Sequence, residues 1–429
     1  MKRAIAPALV SVLLFFALPL TMIAYPTPGL AAEQFTEGGW PLPYEKVSEK
    51  SVQWLKSRGY WPLKWGHATI AFYDAYTGVI KHMDLARKRG LEVQFAPFAG
   101  GPPQNEAFAG GQIQIAWVGE GPYVSIMSKR LPAKGLLVSM ISYPVSLVVP
   151  PNSDLKTPKD LEGKRVGMAV GSSAQYMFAA FGRHHGVDLN KVKVVPMGWA
   201  EAATMPKGLD AAVALSFGIY NGELEGFLKE RWPLYAHYNF YTMYMHEDII
   251  RNAPDVAQAV VDMTMEAFAW AYKNPAEAMR LYRDMVPALK QTKLAPQWRD
   301  VNNLYAKLPP SANYPAVDLI AAEAEFLSGL LVEWKQLPKK LSAAEVKASY
   351  DTSFVDRTFK KLGWVRNDSS WMRPGFTAKD AIADVNKGSL YFPDKMYLVS
   401  EMNVPIPWPQ PADVSKPWYY FGVWYQPGK

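Results

Sequence analysis

The chain has 429 residues, of which 49% are hydrophobic and 20% charged, an ordinary globular composition with length enough for two or three core-bearing units. Its net charge of +7 comes without basic runs, so it makes no case for nucleic acid and only mildly favours anionic ligands. There is no cysteine, which excludes disulfides, thiol catalysis and a lipid-modified N-terminal cysteine.

The predicted elements begin with a leader. Lys2 and Arg3 precede an apolar run over 8–24, and Gly29-Leu30-Ala31-Ala32 supplies small residues for cleavage, so 1–32 reads as a secretory signal rather than an uncleaved anchor. The stretch 33–66 is rich in Trp, Pro and Tyr, with one helical pattern over 47–55. Next comes a strand at 67–73, a turn at 74–78 and a helix over 79–88 stopped by Gly90. A strand at 91–95 leads to a Gly-Pro loop at 99–103 and a short helix through Phe108. Strand 113–118, loop 119–122, helix 123–129 and strand 136–140 complete a first unit. Strands alternating with helices imply a parallel sheet, with ligand loops beyond the carboxyl ends of the strands.

An extended piece at 143–150 leads into a second unit of the same layout. DLEGKRVGMAVGSSAQY over 160–176 reads as a strand at 165–169, a Gly-Ser-Ser turn and a helix from Ala174 to His185. A serine there can cap the helix. The same helix end can also hold an anion through its N–H groups and dipole, and the residues alone leave both readings open. Strand 192–196, a loop at 198–201, strand 209–215 and a loop at 216–221 follow. The piece 240–245 runs back to the first unit. Helices are expected over 248–288 with a break at Asn274-Pro275, then at 296–307, 315–335, 343–349, 354–361 and 377–386.

Several ordered blocks then carry a resemblance. GLEVQFAPFAGGPPQNEAFAGGQIQIAWVGEGP over 90–122, LVVPPNSDLKTPKDLEGKRVGMAVGSSAQY over 147–176, VVPMGWAEAATMPKGLDAAVALSFGIY over 194–220 and MHEDIIRNAPDVAQAVVD over 245–262 resemble the substrate-binding proteins of nitrate, sulfonate and taurine ABC importers. The likeness covers about 67–362. SFGIYNG stands where that family usually carries a Trp-containing loop, and the flanks 33–66 and 363–429 exceed its usual length.

The resemblance implies an α/β, two-lobed periplasmic-binding-protein fold of type II, with hinge crossovers and a helical C-terminal region. Lobe 1 would comprise 67–142 and 241–362, lobe 2 would comprise 143–240, and 363–429 would be a Pro- and Trp-rich extension. It further implies a periplasmic protein that passes a small organic anion to an importer permease in the inner membrane. No cofactor, catalytic residue or nucleic-acid partner is expected. An enzyme on the same fold, or a ligand-sensing interaction protein, are the alternatives.

Candidate ligand residues stand on the loops. They are Tyr73 and Asp74 on the first, Gly101 and Pro102 on the second, and Glu120 and Tyr123 on the third. Tyr143 lies at the crossover, and Gly171, Ser172, Ser173 and Tyr176 at the Gly-Ser-Ser turn. Trp199, Glu201, Ser216 and Tyr220 belong to the later loops. Glu120 and Glu201 can cap their helices or pair with a cationic end of the ligand. Adjacent histidines His184 and His185 diverge by about 100° on a helix and make a poor metal site.

Overall fold

The structure is a computed structural model that describes residues 40–69, 75–138, 145–215, 222, 226–234, 240–286, 313–315, 317–363, 418–420 and 423–425. The expected leader, the helices at 296–307 and 377–386 and the loop at 216–221 lie outside the described residues.

Two five-stranded sheets organise the chain. The first has the order β2-β1-β3-β10-β4, from β1 (Leu63–Ala68), β2 (Val93–Phe98), β3 (Ile115–Gly119), β4 (Ala133–Val138) and β10 (Tyr241–His246). The second has the order β7-β6-β8-β5-β9, from β5 (Val145–Val149), β6 (Arg165–Met168), β7 (Lys193–Pro196), β8 (Ala211–Leu215) and β9 (Lys229–Pro233). These are the two expected lobes.

Neither sheet is wholly parallel. β1 pairs in parallel with β2 and β3, but β10 is antiparallel to β3 and β4. Likewise β6 is parallel to β7 and β8, while β5 is antiparallel to β8 and β9. The reason is the route of the chain. The strands β1, β3, β6 and β8 end at the edge facing the other lobe. A chain arriving from that lobe enters at the same edge and must run away from it, so β5 and β10, the first strands after each crossover, are reversed.

The helices follow local signals. α1 (Glu49–Ser57) is capped by Ser48, whose side chain accepts from the Ser51 N–H. The single helix expected over 79–88 is two, α2 (Ala75–His82) and α3 (Leu85–Lys88), parted at Asp84 with φ 54°. α4 (Gly101–Ala109) starts with Pro102 and Pro103 in its first turn. α5 (Glu120–Ser128) takes in the Gly-Glu-Gly-Pro stretch expected to be a loop. Pro122 falls in its first turn, where an N–H has no intrahelical acceptor to lose. α6 (Ser173–His184) and α7 (Trp199–Ala202) begin the helices of lobe 2.

α8 (Glu247–Asn252), α9 (Pro254–Lys273) and α10 (Pro275–Met285) follow the return, with the break at Asn274-Pro275 as expected. α11 (Val317–Glu333), α12 (Ala343–Ala348) and α13 (Ser353–Leu362) close the described helical region. β11 (Trp418–Tyr420) and β12 (Val423–Tyr425) form a separate antiparallel pair.

Two strands depart from the sequence reading. β1 lies earlier than 67–73, because its register places Leu63 opposite Val93 and Ala68 opposite Phe98. β9 was not anticipated: KERWP is charged and ends in proline, which suits an edge strand.

Aromatic pairs fill the core of lobe 1. Trp117 stacks on Tyr241 with centroids 5.8 Å apart, and Tyr76 stacks on Phe268 at 4.9 Å; Trp117 and Tyr76 are fully buried.

Candidate functional site

The helix starts of both lobes meet at the edge where the strands end. α4 approaches α5 so closely that a Cβ on Gly101 would stand 2.5 Å from Pro122 Cγ. Side-chain amides hold both starts: Asn105 Nδ2 donates to the Pro122 carbonyl at 2.8 Å, and Gln104 Nε2 donates to the Trp117 carbonyl at 3.0 Å. The Tyr244 hydroxyl donates to Asn105 Oδ1 at 3.0 Å and fixes that amide.

Across the gap, Gly171 turns the chain with φ +75°, a conformation glycine adopts without Cβ strain. It faces Pro102, whose Cγ is 3.8 Å from where a Cβ would be. Gly100 similarly faces the Trp199 ring. A third inter-lobe contact is polar: Ser173 Oγ donates to Glu120 Oε2 at 3.1 Å. Both residues are buried, and Glu120 is completely so.

The amino end of α6 is largely committed to internal partners. Ser172 is its N-cap and accepts from the Ala174 N–H at 3.2 Å, while its own hydroxyl donates to the Ala169 carbonyl at 2.6 Å. The Gly171 N–H donates to Gln175 Oε1 at 2.9 Å. The capping reading therefore describes Ser172, and the carboxylate nearest the α6 end is Glu120 of the opposite lobe.

Of the residues singled out from the sequence, Gly101, Pro102, Glu120, Gly171, Ser172, Ser173 and Trp199 come together at this gap. Tyr123 shares α5 but points into the core. It donates to the Ser349 carbonyl and accepts from the Gly135 N–H, both at 2.9 Å, and burial pushes its phenol well above the ordinary range. Glu201 is exposed on α7, and Tyr176 belongs to α6. Tyr73, Asp74, Tyr143, Ser216 and Tyr220 lie outside the described residues. Among the described residues no group of three His, Asp or Glu side chains is placed to hold a metal.

One acidic residue at this seam escaped the sequence reading. Glu323 on α11 is completely buried. Among the described residues neither of its carboxyl oxygens has a hydrogen-bond partner, and burial followed by the charge of Glu120 raises its pKa well above the ordinary carboxylate value. The signal was present in the sequence: Glu323 shares a helix face with buried Ile320 and Leu327, where a carboxylate is out of place.

Two cavities flank the seam. One of about 250 Å³ lies beside Pro102, Pro122 and Gly171. The other, about 380 Å³, lies between α6 and the end of α11, lined by Phe178, Leu189 and Trp334.

Comparison with known proteins fits this architecture. Residues 87–278 match the family described as NMT1/THI5 like. That span holds all of lobe 2 and the starts of α4 and α5 in lobe 1. A Bacillus subtilis protein named as an aliphatic sulfonates-binding protein is 22% identical over 301 residues, or 65% of this chain and 82% of the relative.

Among solved structures, the alkanesulfonate-binding protein of Xanthomonas axonopodis pv. citri bound to MOPS is 17% identical, with a TM-score of 0.56 over 68% of this chain and 98% of that one. The periplasmic nitrate-binding protein of Synechocystis PCC 6803 is 13% identical, with a TM-score of 0.59 over 77% of this chain and 98% of that one. The relationship read from the sequence holds, and the chain has the two-lobed α/β fold of the periplasmic binding proteins.

Proposed function

We propose that this chain is an extracytoplasmic solute-binding protein that captures a small organic anion of sulfonate type and passes it to the permease of an ABC importer in the inner membrane. The observation that carries the reading is the meeting of helix starts from two lobes across one gap, at the Gly100–Trp199, Pro102–Gly171 and Glu120–Ser173 approaches. α4, α5 and α6 each bring the positive end of a dipole to that gap, a field that favours negative charge. Two lobes joined by crossovers can close on a ligand as a hinge. Capture is reversible and breaks no bond of the solute.

A ligand that binds only the folded chain must raise its Tm. Scanning the purified chain against alkanesulfonates, carboxylates and nitrate in a thermal-shift assay should give a concentration-dependent rise with at least one class. No rise with any of them would reject the reading.

A further inference from the structure

The cavity of about 380 Å³ beside α6 has the size of a small-molecule pocket, for which roughly 300–1,000 Å³ is ordinary. Its apolar lining is Met168, Phe178, Leu189, Val194 and Trp334. Met168 and Phe178 are buried, but Val194 is 40% exposed, so apolar surface remains there for an apolar ligand to take out of water. The walls come from two directions. One is lobe 2, and the other is the segment 333–336 at the end of α11, a helix that packs on α5 of lobe 1 as well as on α6. None of the residues that meet across the gap lines this cavity. An occupant would touch both lobes without entering the gap.

The charge at the rim is set by how α11 ends. The Lys335 N–H donates to the Val332 carbonyl at 2.9 Å and the Gln336 N–H to the Leu331 carbonyl at 2.8 Å, with Lys335 left-handed at φ 58°. This closure normally falls to glycine, because a Cβ crowds the backbone there. Closing the helix therefore does not call for lysine. A cation does suit the helix dipole, but any position of the last turn would serve that. What position 335 adds is an ammonium at the cavity. The next cations along, Lys339 and Lys340, are paired with Glu345 and Glu325, whereas among the described residues Lys335 has no ion pair. Glu333 is already held by Arg183, so the rim carries two cations against one carboxylate. Asn190 and Gln336 add amide N–H donors to the lining.

We propose that this cavity is a second ligand site, outside the gap, for a small carboxylate with an apolar body. The body lies against Phe178, Val194 and Trp334, and the carboxylate pairs with Lys335. A neutral ligand would leave the ammonium unanswered, and an amine would meet the excess of positive charge. The site does not depend on the chain being an importer component.

The test is calorimetry on the full chain with phenylbutyrate and octanoate, their uncharged amides, and acetate. At least one of the two acids should saturate a single site, and which one does tells an aromatic body from an aliphatic one. Acetate, with no body to bury, and the matching amide, with no charge, should each bind at least roughly tenfold more weakly. Lys335→Gly should weaken the acid about tenfold, to the level of its amide. The Tm of that variant without ligand should hold or rise, because glycine relieves the left-handed strain. A purely structural lysine would lower the Tm and leave the affinity alone. Val194→Asp should abolish binding of the acid. Acids that bind the parent and both variants equally occupy another place, which overturns this proposal and leaves the importer reading standing. No saturable binding of either acid, or equal affinity for acid and amide, overturns it too. The comparison among probes is made on the unaltered chain, so it decides even if a variant misfolds.

Discussion

Glu323 sets the pH behaviour at the residue scale. Its folded pKa is raised by burial and by Glu120, so the unfolded chain gives up that proton more readily than the folded one. Stability is therefore greatest below the unfolded glutamate value and is lost as pH rises toward the folded one. His67 acts in the opposite direction. Burial lowers its imidazole to about 4, so stability is lost as pH falls from its ordinary value of 6.5 through 4. Glu323→Gln should flatten the alkaline limb alone. Its Tm should exceed that of the parent at pH 8 and converge on it near pH 4.5, with no ligand present. Parallel Tm–pH curves for the two proteins would show that the carboxyl does not titrate with folding. The residue scale also separates the two serines. The sequence leaves Ser172 open between cap and anion site, and the structure makes it the N-cap of α6, whereas the partner of Ser173 stands 53 residues earlier and leaves no trace in its own neighbourhood.

At the scale of elements, the segment before β1 is built into lobe 1 and is not a loose flank. Trp40 is fully buried, and the Tyr44 hydroxyl donates to Glu266 on α9 at 3.0 Å. Asp255 at the start of α9 accepts from the Ser48 N–H at 2.7 Å. The centre of this clasp is the pair Arg89–Glu266, 2.7 Å apart and out of contact with water, with the guanidinium over the Tyr44 ring at 4.8 Å. Even so, burial outweighs the arginine and leaves Glu266 raised from its ordinary pKa. Breaking such a pair from one side is costly, because the remaining charge keeps its burial without its partner. Arg89→Met should destabilise the chain by about 3–5 kcal/mol in denaturant melts. A loss under about 1 kcal/mol would mean that the pair is dispensable. Element boundaries were legible where a cap or break is local, as at Asn274-Pro275 and Gly186. They were missed where pairing decides: β9 and the early start of β1 exist because a neighbouring strand takes up their backbone groups.

For the whole molecule, the question is what holds the lobes together. The Arg183–Glu333 pair spans the seam, but both side chains are about half exposed, so it contributes about 0–1 kcal/mol. The Gly100–Trp199 and Pro102–Gly171 approaches and the Ser173–Glu120 hydrogen bond are further described contacts. If the chain is a solute-binding protein, the lobes should respond to a solute in the gap. Small-angle scattering should show a smaller radius of gyration once a binding solute saturates the chain. An unchanged radius with saturating ligand would reject hinge closure.

Periodicity, glycine and proline placement and capping residues determined that this chain alternates strands and helices in two similar runs, because those signals act over a few residues. The ordered blocks that resemble the importer-binding proteins were equally readable, since they are local strings. Tertiary structure alone decided that β5 and β10 run backwards, that Tyr123 faces the core, and that Glu120, Ser173 and Glu323 share one place. Those outcomes depend on groups far apart in the chain, 53 positions for Glu120 and Ser173 and 226 for Tyr123 and Ser349, and nothing in the immediate neighbourhood of any of them carries the position of the others.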